Sequence, residues 1–167
     1  MIAVGDKLPD VTLYEYVLVE GTCAIGPDAF NALEAAAGKT IVVFGLPGAF
    51  TPTCTSEHVP SYLAHADELK AAGVDEIWCT STNDAFVLGA WGKELGTTGK
   101  IRMVADGDAS FIKATGLSLD FTGKGFGVRS ARYSMLVKDG VVTTLNLEDG
   151  PAYKVSGADT ILAQLRG

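Results

Sequence analysis

Residues 40–45 read TIVVFG, an uncharged run followed at once by LPGAFTPTC at residues 46–54. A continuous β-branched and aromatic run marks a strand buried on both faces, which happens where helices cover both sides of a largely parallel sheet. The two prolines and the glycine after it end the strand. Thr51-Pro52 then reads as a helix start, with a hydroxyl at the cap and proline in the first turn, where no amide proton is needed. Apolar positions return at helical spacing through residues 51–72, and Gly73 is a stop. VDEIWCTST, residues 74–82, is the next strand. Strand, helix and strand in this order make a right-handed crossover with parallel strands.

The other segments fit around that unit. VTLYEYV (11–17) alternates as a strand, and PDAFNALEAAAGK (27–39) reads as a short helix with Gly38 past its end. NDAFVLGAWGKELG (83–96) predicts a helix capped by Asn83 and closed by Gly96. KIRMVAD (100–106) is a short strand. RYSMLVKDGVVTTLNLE (132–148) is a hairpin around Asp139-Gly140, a pair that suits a primed turn. SGADTILAQLRG (156–167) is a terminal helix. The order predicts an α/β, thioredoxin-like fold with an N-terminal extension and an insertion, an extra strand and loop, before the C-terminal hairpin.

Composition narrows the function. The 167 residues are enough for one domain, expected to span 1–167, and short for two. A net charge of −7 argues against nucleic acid or an anionic membrane as partner. No apolar run approaches the ~18 residues of a membrane span. MIAVGDKLPD lacks the basic and apolar regions of a signal peptide, so a cytoplasmic protein is expected. Three cysteines without close spacing do not suggest a secreted disulfide framework.

The chemistry centres on Cys54. It falls in the first turn of the expected helix, near unpaired N–H groups at the positive end of the dipole, a place suited to a thiolate. Many cysteines are merely small core residues, but a core residue needs no Pro-Gly loop around it. A helix end supplies up to ~2 kcal/mol. Lowering a thiol from ~8.5 to ~6 takes roughly 3.4 kcal/mol, so a cation should help. Residues 121–138 carry Lys124, Arg129, Arg132 and Lys138 with no carboxylate. A solvated basic loop is the ordinary reading of such a cluster, but topology favours more for Arg132. It opens a strand expected to run antiparallel to residues 40–46, and so lies where the Cys54 loop begins.

PGAFTPTC has the form Pro-x-x-x-Thr-x-x-Cys, and with the arginine of RSARYSM it resembles the peroxiredoxins. The longer strings LPGAFTPTC, STNDAFVLGAWGKE and RYSMLVKDGVV resemble the subgroup of mammalian peroxiredoxin five and the plant type-II peroxiredoxins. The resemblance covers essentially the whole chain. It implies a thiol peroxidase acting on hydrogen peroxide and organic hydroperoxides, with Cys54 as the peroxidatic cysteine that becomes a sulfenic acid. It assigns the Thr51 hydroxyl, the amides of Thr53 and Cys54, and the Arg132 guanidinium to the two peroxide oxygens, with Pro47 shielding the thiolate. His58 and Phe126 are expected at the substrate pocket, and Arg129 as a loop-ordering residue. A Cys54–His58 metal pair has no further ligand cluster to complete it, so neither metal nor cofactor is expected. His65 is expected at the surface.

The sequence departs from the family in one respect. Members like the mammalian protein place a resolving cysteine shortly before the last helix, where this chain has GPAYKVSGADT. Cys79 matches the second cysteine of plant members and could resolve Cys54, but its setting, EIWCTS, reads as a buried strand. Cys23 is not expected to take part. An external thiol, from glutaredoxin with glutathione or from thioredoxin, is the expected reductant. The alternatives are a peroxide-sensing interaction module signalling through Cys54 and, more distantly, a cysteine hydrolase, which would want a histidine base. Pro60 should bend the long helix and let the first turn unwind apart from the rest. The helix containing AFVLGAW is apolar almost all round, so a homodimer packing Phe50, Phe86 and Trp91, or a subset, is expected.

Overall fold

The computed structural model describes residues 1–16 and 26–167, so Cys23 and the end of the 11–17 strand lie outside the described residues. The strands are β1 (Thr12–Glu15), β2 (Asp28–Asn31), β3 (Thr40–Gly45), β4 (Glu76–Ser81), β5 (Arg102–Ala105), β6 (Ser118–Phe121), β7 (Gly127–Ser130), β8 (Tyr133–Lys138) and β9 (Val141–Leu147). Seven of them form one sheet in the order β2-β1-β5-β4-β3-β8-β9. β3, β4 and β5 are mutually parallel, and β8 runs antiparallel to β3. The helices are α1 (Ala32–Ala36), α2 (Val59–Ala64), α3 (Ala66–Ala71), α4 (Ala85–Leu95), α5 (Ser110–Thr115) and α6 (Ala158–Arg166).

β3 lies inside the sheet, between β4 and β8, because both of its faces are apolar. Val42 and Phe44 point into one core layer with Val59, Tyr62, Leu88 and Ile161, while Ile41 and Val43 point into the other with Trp78, Phe111 and Met135. Helices thus cover both faces, as the TIVVFG run requires. Phe44 and Tyr62 stack at 4.0 Å and 6°, a contact worth about 0.5–1.5 kcal/mol beyond its area. The β8–β9 hairpin turns at Asp139 (φ 49°) and Gly140 (φ 77°), the two left-handed residues of a type I′ turn.

Four expectations change. In residues 27–39 the helix is confined to α1, capped by Asn31 through its bond from the Glu34 amide. The preceding residues instead pair with β1, where Phe30 meets Trp78 edge-on. The helix expected over 51–72 is three pieces: a π-helical turn at Cys54–His58, then α2 and α3, broken at His65 (φ −110°, ψ 9°). Pro60 sits in the first turn of α2, directly after the π turn, and has no N–H to return to that turn. The interruption on its N-terminal side is therefore a wide turn, closed by the Val59 amide on the Cys54 carbonyl. Asp84, not Asn83, caps α4, accepting from the Val87 amide at 2.9 Å. The insertion holds more than a strand and loop: α5 and a separate β6–β7 pair.

Candidate active site

The sheet delivers the site from three directions. β3 ends at Gly45, paired with Tyr133 at the start of β8. Arg132, the preceding residue, therefore stands beside the loop that leads to Cys54. Its Nη2 donates to Cys54 Sγ at 3.3 Å, and its Nη1 bonds His58 Nδ1 at 2.9 Å. Cys54 is 1% exposed and Arg132 7%, so little water screens the pair.

A guanidinium can only donate, so Nδ1 of His58 must accept and its proton must sit on Nε2. Nε2–H then donates to the Ser156 carbonyl at 3.1 Å. Burial and the Arg132 charge lower the His58 pKa to about 3, against a stabilising bond to Ser156. The imidazole is neutral at any physiological pH. His58 was expected at the substrate pocket; its two nitrogens are engaged by Arg132 and the Ser156 carbonyl.

Loop 46–53 is fixed by groups from other elements. Asn83 Oδ1 accepts from the Ala49 amide at 2.8 Å and from Ser81 Oγ at 2.6 Å. Arg129 donates to the Pro47 carbonyl at 3.2 Å and the Phe126 carbonyl at 2.8 Å, joining this loop to the β6–β7 loop as expected. A Cβ at Gly48 would come within 2.7 Å of the Arg129 guanidinium and push it off the Pro47 carbonyl. Thr51 Oγ1 donates to the Gly48 carbonyl at 2.7 Å. Its proton is thus committed, and what it offers an incoming O–H is a lone pair. Thr53 lies half-buried immediately before Cys54. Phe126 is exposed, edge-on to Phe121 at 6.2 Å and below Arg129. Asn83, Ser156 and Tyr153, whose ring lies 5.2 Å from His58, were not anticipated as site residues. Asn83 drew notice only as a cap, and the contacts of the other two come from a loop about a hundred residues on.

The family described as Redoxin matches residues 3–162. Peroxiredoxin-2B of Arabidopsis thaliana is 45% identical over 164 residues, covering 98% of both chains. The chain is a peroxiredoxin. Reduced Prx3 from Vibrio vulnificus in complex with H2O2 is 50% identical, with a TM-score of 0.90 over 99% of both chains. Peroxiredoxin 5 from Alvinella pompejana is 32% identical, with a TM-score of 0.84 and 99% coverage of each. This peroxiredoxin therefore has the thioredoxin-like fold and is a thiol peroxidase, an oxidoreductase. The same comparisons bear out the resemblance to the plant type-II members.

Its second described thiol, Cys79, is fully buried on β4 opposite Phe44. Burial pushes its pKa well up, and the neighbouring Cys54 pushes in the same direction. A buried thiol held protonated in this way is a poor nucleophile, although it shares one core layer with Cys54.

Proposed function

We propose that Cys54 is the peroxidatic cysteine of this peroxidase and Arg132 the cation that serves it. The observation that carries this is a buried guanidinium, 3.3 Å from a buried thiol, that meets no carboxylate among the described residues. The thiolate attacks the nearer oxygen of a hydroperoxide: an S–O bond forms, the O–O bond breaks, and sulfur is oxidised to sulfenic acid. The departing hydroxide or alkoxide takes a proton and leaves as water or alcohol. Arg132 and the amides of Thr53 and Cys54 face the developing charge, while the Thr51 lone pair accepts the remaining peroxide O–H. Pro47 walls the pocket, and exposed Phe126 borders its mouth. Cys54→Ser is expected to abolish peroxide consumption in stopped flow while Cys79→Ser retains most of the first-step rate. Comparable loss in Cys79→Ser would sink the single-nucleophile reading.

The inaccessible Cys79 and the cysteine-free segment 148–157 support an external reductant, glutaredoxin with glutathione or thioredoxin. Turnover with each system side by side identifies it. We read residues 1–167 as one domain, acting in the cytoplasm, where both described thiols stay reduced. Among its relatives are a chloroplastic and a mitochondrial peroxiredoxin, so fractionation of the source cells is the test.

A homodimer remains the reading of the apolar surface, with one correction. Trp91 is fully buried and packs inward, 6.3 Å from Phe50, so it belongs to the core rather than to an interface. Phe50 and Phe86 are 57% and 52% exposed, the latter against Tyr16. A two-fold contact covering both rings would also brace loop 46–53. Sedimentation of the reduced protein at micromolar concentration decides it, and a clean monomer would end the proposal.

A further inference from the structure

Glu148 follows the last strand of the sheet and is 6% exposed, yet no cationic side chain pairs with it among the described residues. Its carboxylate is satisfied by backbone alone. The Lys154 amide donates to both oxygens at 2.7 and 2.8 Å, and the Val155 and Ser156 amides donate to Oε1, the latter at 3.1 Å. Three successive amides converging on one anion form a nest, which a neutral acceptor fills only in part. The Glu148 amide in turn donates to the Arg132 carbonyl at 3.0 Å.

The segment so held carries the Ser156 carbonyl. That oxygen accepts from His58 Nε2 and, at 2.7 Å, from the Tyr62 hydroxyl. It dictates which His58 nitrogen is bare, and the bare nitrogen is the one that receives Arg132. We propose that Glu148 is a positioning residue for the peroxidase reaction: by gripping residues 154–156 it sets the Ser156 carbonyl, which fixes the His58 tautomer and so holds Arg132 on Cys54. The proposal rests on the assignment of Cys54 and Arg132 made above.

The test compares Glu148→Ala, Glu148→Gln and Arg132→Met with the parent enzyme in stopped-flow hydrogen peroxide reduction, per titrated active site and across pH. Glu148→Ala should lose about tenfold in rate, the scale of coupling through a contiguous network, and move the midpoint of the pH profile upward. Glu148→Gln keeps one acceptor oxygen and should recover part of the loss. Imidazole nitrogen NMR should show a defined Nε2–H tautomer of His58 in the parent and its loss in Glu148→Ala. In a His58→Ala background, adding Glu148→Ala should cost little more, since the route is already cut. A variant that melts earlier but keeps the parent rate, pH midpoint and tautomer would reduce Glu148 to a loop staple; so would additive losses in the double variant. If Glu148→Ala does not fold, Glu148→Asp, with the carboxylate withdrawn by one methylene, is read the same way. If Arg132→Met leaves rate and pH midpoint unchanged, the site assignment fails and this proposal with it. If Arg132→Met shifts them and the Glu148 variants do not, the proposal alone fails.

Discussion

Arg102 and Arg132 stand at the beginnings of two strands of the same sheet, and their surroundings are opposite. Arg102 is pinned between Glu15 at 2.6 Å and Glu76 at 2.7 Å, with Phe30 and Trp78 against its guanidinium plane at 4.5 and 5.3 Å. Its charge is neutralised twice, and its task is to tie β1, β4 and β5 together. Arg132 donates to a neutral imidazole and a thiol, so its charge stays available to an anion that forms at sulfur or at a departing oxygen. Two residues of the same type differ in purpose because of what they are denied. A buried cation without a carboxylate is costly to the fold and becomes useful only when an anion arrives.

That contrast can be broken by experiment. Arg132→Met should show the largest effect, a fall of roughly 10²–10³ in the rate of peroxide reduction, the cost of losing a transition-state donor. A loss below tenfold would mean that the amides carry the charge without it. Arg102→Met should do the reverse, leaving the rate within about twofold while lowering the free energy of unfolding by about 2 kcal/mol, because two part-buried carboxylates lose their shared cation. Denaturant titration beside stopped flow separates the two, and a large rate loss in Arg102→Met would erase the distinction.

Arg132→Lys sharpens the comparison further. An ammonium keeps the charge but cannot span thiol and imidazole as the planar fork does, so an intermediate loss of about tenfold is expected. Full activity would show that charge alone suffices. The smallest effect, read per pH unit, concerns acid. His58 has a folded pKa of about 3, against 6.5 for an unperturbed imidazole. The unfolded chain therefore binds more protons between those values, and stability should fall as pH drops below 6.5. The slope from this group is at most about 1.4 kcal/mol per pH unit. His58→Gln should flatten that part of the profile; an unchanged slope would assign the acid sensitivity to carboxylates instead.

What the sequence disclosed follows the reach of each determinant. β3, the hairpin turn and the helix start before Cys54 are written in adjacent residues, and Arg132 could be placed from strand direction alone. β2 could not: Asp28–Asn31 sits next to strong helix formers, and only the β1 edge and Trp78 draw it into the sheet. α5 escaped because its amides are satisfied by Asp106, whose carboxylate accepts from Phe111 and Ile112 across Ala109 in a left-handed conformation, a pattern unlike any local cap. Asn83 and Asp84 are equally good caps on paper. The choice fell to Ala49, a loop residue 34 positions away that needed an acceptor. The tautomer of His58 was illegible for the same reason, since it is set with a carbonyl 98 residues distant.

The occupied nitrogens of His58 have one more consequence. A thiolate and an imidazole one turn apart are half of a site for zinc or copper. A redox-active ion held there would cleave peroxide one electron at a time and release hydroxyl radical. In this chain the Nδ1 lone pair already faces a guanidinium proton and Nε2 already carries its own, so the imidazole has no electron pair to lend. Arginine occupies the place of the Lewis acid. On the assignment proposed above it would stabilise the departing oxygen as an ion would, yet it cannot change oxidation state and cannot be stripped out by a chelator.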